Sequence, residues 1–207
     1  MIERCYNSTV RDAAAEKTRK RIVAAAVRLL ATKGAAGFSL DAVGRKADVT
    51  RLTVYNQFGS RRALLDAVFD DRARRGGLTR LHEVMALPDA RAALTQVIGI
   101  FCDFWSFDHD AVANLHAMGG TDAEFAETLA ARNERRRATL GTLVARLAEQ
   151  GALPQGAVRK VTDILFALTG FGFFTDLARP RGLAEAARLV QALAAQTLAD
   201  AEKKRPG

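Results

Sequence analysis

Apolar residues recur along this chain at helical intervals, and the pattern predicts helices from end to end. Residues 1–15 carry no strong pattern and read as a flexible arm, disordered or weakly helical, either a free tail or a basic arm whose Arg4 and Arg11 reach a neighbouring groove. From Lys17 to Lys33, Ile22, Ala25, Ala26, Leu29 and Leu30 form one apolar stripe. Its start, with Lys17, Arg19, Lys20 and Arg21, suits a place along a DNA backbone. Gly34 ends that helix, and Lys33 suits its negative end. Between Phe38 and Phe58 the spacing predicts two short helices joined by a tight turn. Ser39 caps the first, whose Leu40, Val43 and Ala47 share a face; Thr50 caps the second, whose Val54 and Phe58 point inward. Asp48 stands at the turn, where a residue that tolerates the left-handed region is needed. Arg51, Leu52, Thr53, Tyr55 and Asn56 are left facing outward. Together they read as a helix-turn-helix with a surface suited to base edges and phosphates.

Ser60 caps a following helix through Leu64, Leu65, Val68 and Phe69 to about Arg75, and Gly76-Gly77 marks a boundary. The remainder predicts about five helices and one short helical piece. One runs from Leu78 to Ala86, before Leu87-Pro88. Asp89 caps another, through Ala93, Val97, Ile100, Phe101, Phe104 and Trp105. Asp108 caps a short piece ending at Met118-Gly119-Gly120. Thr121 with Glu124 makes a capping-box pattern that opens a long helix to Gln150. The last two span Gln155 to about Ala178 and Leu183 to Lys203, before a fraying Lys-Lys-Arg-Pro-Gly end. The expected fold is all-α: an arm at 1–15, a helix-turn-helix domain at 16–75, and a helical domain at 76–207.

The stretches Phe38-Ser39-Leu40, Val49-Thr50, Tyr55-Asn56-Gln57-Phe58-Gly59-Ser60-Arg61 and Ala63-Leu64-Leu65 resemble the signature of TetR-family regulators. Three positions depart from it: Gly44 replaces the usual Ala, Asp48 the usual Gly, and Arg61 the usual Lys. The resemblance covers roughly the first third of the chain. It implies double-stranded DNA as a partner, a helical sensor half taking a small-molecule effector, and a homodimer formed through the last two helices. It also implies a phosphate contact at Arg61. The two final helices carry apolar stripes (Val158, Val161, Leu165 and Leu168; Leu183, Ala186, Val190, Leu193 and Leu198), and an ordinary intramolecular core accounts for them equally.

Composition sharpens this picture at a few points. In 207 residues hydrophobic content is 49% with only four Pro, which suits an ordered helical protein with a sizeable core. The net charge is +8, and residues 16–62 hold eleven Lys and Arg against three Asp and Glu, so the rest is balanced. A basic block coinciding with the helix-turn-helix is the electrostatic footprint of phosphate contact. Cys5 and Cys102 form no metal or redox spacing. No signal-like core or membrane-length apolar run stands out, so the expected location is cytoplasmic, with no membrane partner.

Candidate DNA-binding residues follow from side-chain chemistry. Arg51 suits a forked pair of bonds to guanine, Leu52 a thymine methyl, and Thr53 a further base edge. Ser39, Thr50, Tyr55, Asn56 and Arg61 suit phosphates and positioning. In the helical half, Phe101, Trp105, His116, Met118, Phe125, Phe166, Thr169 and Phe173 are wall candidates for a small apolar ligand, with core packing as the commoner fate of each. His109 and His116 lie seven apart, about 10 Å of helical rise, which is too far for one ion, so no metal is expected. Within Arg132-Asn133-Glu134-Arg135-Arg136-Arg137 most side chains should face solvent, with one Arg available to turn toward a ligand carboxylate. No catalytic constellation or cofactor motif emerges, and no enzyme is expected. The expected function is a dimeric repressor on a palindromic operator, released by a small, largely apolar ligand. A ligand-independent, nucleoid-type DNA binder is the alternative.

Overall fold

A computed structural model describes the backbone of residues 2–203 and the side chains of residues 11–203. The side chains of Arg4 and Cys5 and most of the Lys-Lys-Arg-Pro-Gly end lie outside the described residues. Eleven α-helices and three short 3-10 turns make up the regular structure, with no strand among the described residues. The chain forms two compact units, residues 1–72 with 109–129, and residues 73–108 with 130–207. One boundary, at 72–73, lies near the expected one; two more, at 108–109 and 129–130, return a later segment to the first unit, and the first and last of the three fall inside helices.

The first unit is built on α1 (Ile2–Lys33), α2 (Leu40–Lys46), α3 (Arg51–Phe58), the first part of α4 (Arg61–Arg75), α7 (His109–Gly119) and the start of α8 (Ala123–Glu149). The expected arm is helical, continuing α1 back to Ile2, which is one of the two forms the sequence left open. Ile22, Ala25, Ala26 and Leu30 are fully buried and pack α1 against α2, α3 and α7. Leu64, Leu65, Leu115, Met118 and Phe125 are likewise buried in this unit. Phe38, 5% exposed, joins the same apolar interior.

The turn between α2 and α3 owes its shape to two residues. Asp48 adopts φ 53°, the left-handed conformation its short polar side chain tolerates. Gly44 lets the chain fold back closely: Val49 N–H donates to Gly44 O at 2.9 Å, and a Cβ on Gly44 would stand 2.9 Å from Val49 O. A side chain at position 44 therefore opposes the turn.

The second unit holds α5 (Leu81–Met85), α6 (Ala90–Ser106), the rest of α8, α9 (Val158–Leu168), α10 (Phe171–Arg181) and α11 (Leu183–Lys203). The stretch expected as one helix from Leu78 to Ala86 is a 3-10 turn, Leu78–Arg80, followed by α5. Asp89 caps α6 through bonds from Arg91 N–H and Ala92 N–H. Leu94, Val97, Phe101 and Phe104 from α6 and Leu140, Leu143, Val144 and Leu147 from α8 lie in the interior. α11 packs on α6, α9 and α10 with Ala186, Val190, Ala194 and Leu198 buried. The single helix expected over 155–178 is broken: a 3-10 turn precedes α9, and α9 and α10 meet at a bend of 47° around Thr169-Gly170. The Trp105 indole donates to Thr169 O at 2.8 Å, which takes one carbonyl of the break out of the helical ladder. Among the described residues no single helix is long and apolar enough to cross a membrane.

Candidate nucleic-acid interface

The helix-turn-helix is set by local capping before any tertiary contact. Ser39 Oγ accepts from Ala42 N–H at 3.1 Å, and Thr50 Oγ1 accepts from Thr53 N–H at 3.0 Å. Each thereby satisfies one of the unpaired donors at a helix start. The hydroxyls of Thr50 and Thr53 also lie 2.9 Å apart, so Thr53 is partly occupied within its own helix. Val54 is fully buried and Phe58 8% exposed, which fixes the rotation of α3. That rotation leaves Arg51, Leu52, Tyr55 and Asn56 exposed and Thr53 half-buried. Leu52 at 65% and Tyr55 at 54% are two of three large hydrophobic residues exposed among the described ones. No intramolecular packing explains them.

Two contacts that sequence reasoning missed involve α3. Arg19 donates through Nη1 to Gln57 O at 2.8 Å and lies 4.2 Å from the centre of the Phe58 ring. It ties α1 to the carboxyl-terminal end of α3, where a cation is favoured. Arg19 thus leaves the basic strip expected along a DNA backbone, whereas Lys17, Lys20 and Arg21 are exposed. Arg51 forms an ion pair with Asp41 at 3.7 Å, both side chains largely in solvent. Such a pair is weak and opens readily for another partner.

Arg61 has a different setting from the one expected. Its guanidinium pairs with Asp122 and sits 5.6 Å from the Phe38 ring, with the side chain 36% exposed. Asp122 also caps α8, its Oδ1 accepting from Phe125 N–H at 3.0 Å. The expected capping box of Thr121 and Glu124 gives way to this single Asp cap, and Thr121 Oγ1 instead donates to Met118 O at 3.2 Å. The anion opposite the basic start of α4 is thus a carboxylate of the same unit. Arg62 adds longer contacts to Asp66 at 4.0 Å and Glu124 at 3.9 Å.

The eight wall candidates divide between the units. His116, Met118 and Phe125 belong to the first, where Met118 and Phe125 are core residues. His116 Nδ1 lies 3.2 Å from Val112 O, and its ring centre 6.5 Å from that of Phe69. Phe101, Trp105, Phe166, Thr169 and Phe173 belong to the second. There Trp105 packs against Phe104 at 4.7 Å and Phe171 at 5.3 Å, and reaches Thr169 as described. Phe101 is core, while Phe166 and Phe173 are half-buried.

Of the arginine run, Arg136 turns inward and is 7% exposed. Its Nη1 donates to Phe166 O and to Thr169 Oγ1, both at 2.6 Å. Burial, and next the neighbouring Arg137, bring its pKa down to about 10, with Glu134 opposing. The sequence signal was present: Arg136 stands one helical turn before Leu140 and two before Leu143, on the buried stripe of α8. Among the described residues no group of three His, Cys, Asp or Glu side chains is arranged to hold a metal ion. Cys102 is buried, and burial pushes its thiol up to about 12.

Comparisons with known proteins agree with this architecture. Residues 22–68 match the family described as bacterial regulatory proteins, tetR family. Over 60 residues the chain is 42% identical to the HTH-type transcriptional regulator SrpR of Pseudomonas putida, covering 29% of this chain and 28% of that protein. It is 40% identical over 60 residues to the uncharacterized HTH-type transcriptional regulator TtgW, also of Pseudomonas putida, covering 29% of this chain and 45% of that one. The chain thus spans less than half the length of either relative. The crystal structure of a TetR transcription regulator from Haloarcula marismortui superposes with a TM-score of 0.75 at 16% identity, over 90% of this chain and 98% of that one. The amino-terminal motif, over residues 22–68, thus matches the tetR family of bacterial regulatory proteins, and the chain shares its fold with a solved TetR regulator.

Proposed function

We propose that the chain is a DNA-binding transcriptional regulator, a repressor that occupies a palindromic operator as a homodimer and leaves it when a small, largely apolar ligand binds the second unit. The exposed face of α3 carries this reading. Leu52 and Tyr55 stand in solvent beside Arg51 and Asn56 on a rigidly capped helix, within a segment of strongly positive charge. That is the equipment for entering a major groove. Arg51 reads a guanine once released from Asp41, Leu52 meets a thymine methyl, and Thr53 supplies a further edge contact. Ser39, Thr50, Tyr55 and Asn56 position the head on phosphates. Arg61, held by Asp122, acts chiefly in bracing α4.

Two-fold pairing through the last helices is supported by α11, where Leu193 is 42% exposed beside exposed Ala192 and Ala195. Small residues around one apolar knob allow two helices to approach closely. Release by ligand is a population shift between head spacings, with a coupling of about 1–3 kcal/mol.

The deciding experiment is selection of genomic DNA fragments by the purified protein, followed by affinity measurement on the selected and scrambled sequences. A palindromic consensus bound about 1000-fold tighter than scrambled DNA, and released by cell metabolites, supports the proposal. Equal affinity for all sequences favours the nucleoid-type reading.

A further inference from the structure

Arg136 is a buried cation that has acceptors but, among the described residues, no carboxylate paired with it. Its ordinary fate on a helix such as α8 is solvent, and its neighbour Arg137 pairs with Asp163 and Glu134. Arg136 itself makes no ion pair among the described residues; its partners are Phe166 O, Thr169 Oγ1 and, at 3.4 Å, Asn133 Oδ1. Phe166 O lies in the last turn of α9, so the partial negative charge of that helix end offsets some of the charge, but not all of it.

The unsatisfied donors lie together. Nη1 has two short bonds, Nη2 has only the long one to Asn133, and Nε–H has no acceptor although it is buried. Nε–H and one Nη2 hydrogen share an edge of the planar guanidinium, the edge that grips a carboxylate with two parallel bonds. On the Nη2 side stands Gly170, where an added Cβ would come within 3.6 Å. The apolar company is close at hand. Phe166 stacks 4.1 Å from the guanidinium, and Trp105 donates to the same Thr169 whose hydroxyl takes Nη1.

We propose that Arg136 is an anion-binding residue of the second unit, and that the effector is a carboxylate on an apolar body, gripped by the Nε/Nη2 edge. This rests on the reading of the second unit as a ligand sensor and adds the ligand's chemical class. A carboxylate gives a buried cation its missing counter-charge, whereas a neutral alcohol supplies one acceptor and a quaternary ammonium repels it.

Trp105 is the chain's single tryptophan and reports on the break that Arg136 holds. Its emission is followed as the full chain is titrated with octanoate, 1-octanol and octyltrimethylammonium. Octanoate binds at least about tenfold tighter than octanol, one charge-assisted bond's difference, and the ammonium weakest. Arg136→Met brings octanoate and octanol to similar affinity, and Arg136→Lys, which keeps the charge without the fork, gives an intermediate ratio. Equal binding of octanoate and octanol to the unaltered chain overturns the inference and leaves the sensor reading standing, as does silence toward octanoate where metabolites still release the operator. Should no metabolite release the operator, the sensor reading itself fails.

Discussion

Gly44 and Asp48 put two opposing demands on one turn. Helix propensity alone favours Gly44→Ala by about 1 kcal/mol. The Cβ would meet Val49 O, a backbone atom that cannot swing aside, and overpacking of this kind costs about 1–3 kcal/mol. The clash wins, so Gly44→Ala should lower the melting temperature, read by circular dichroism; a rise would mean that the turn yields easily. Asp48→Gly removes a left-handed strain of roughly 1 kcal/mol and should raise it. Cys102 gives a second test at this scale. Its raised pKa keeps the thiol neutral through the ordinary thiolate range, so its contribution to stability is present at neutral pH and falls away between the usual thiol pKa and about 12. In a Cys5→Ser chain, iodoacetamide at pH 8 should leave Cys102 unmodified until the protein is denatured. The caps Ser39 and Thr50 were legible in the sequence because their partners lie three residues away. The partners of Arg19, Arg61 and Arg136 were not, because they stand tens of residues off; the stripe of α8 marks Arg136 as inward-facing but does not say what it meets.

At the scale of elements, periodicity placed α3 and its buried Val54 and Phe58 correctly, since one face of a short helix has few alternatives. Periodicity failed at the α9–α10 break. The expected helix ran through Thr169-Gly170, but Gly170 is extended, with φ −72° and ψ 147°, and opens α10; contacts from Trp105 and from Arg136 of α8, both distant in sequence, meet Thr169 at the break. The start of α8 failed more narrowly. Thr121 and Asp122 are both good caps, and only the second also faces Arg61. Asp122→Ala removes a cap worth about 1 kcal/mol together with a partly exposed ion pair worth up to about 1 kcal/mol. Asp122→Asn keeps the cap and should cost less, a ranking that thermal melts will resolve. Arg61→Ala should lower stability while changing the salt dependence of DNA affinity by less than the roughly one unit expected of a phosphate contact. Arg51→Ala should instead cost about 1–3 kcal/mol on the cognate site alone and relax base choice at one position, measured by anisotropy on single-base variants.

For the whole molecule, the fold class and the helix-turn-helix were readable because several spaced signals agreed with each other and with the charge block. The partition into units was not. Gly76-Gly77 stands a few residues from one boundary, but nothing in the local pattern marks the other two, through which α7 and the start of α8, with buried Leu115, Met118 and Phe125, return to the first unit. The proposed pairing belongs to this scale too. Leu193→Lys should shift sedimentation toward monomer and weaken operator binding, with the helical content unchanged.

That returning segment bears on how such a protein can be rewired. An engineer joining this reading head to a foreign sensor at one splice point near residue 75 would leave the head without Leu115, Met118 and Phe125, its apolar underside open to water and prone to clump. A working hybrid must carry residues 109–129 along with the first 72, which takes two further joints inside the donor sequence.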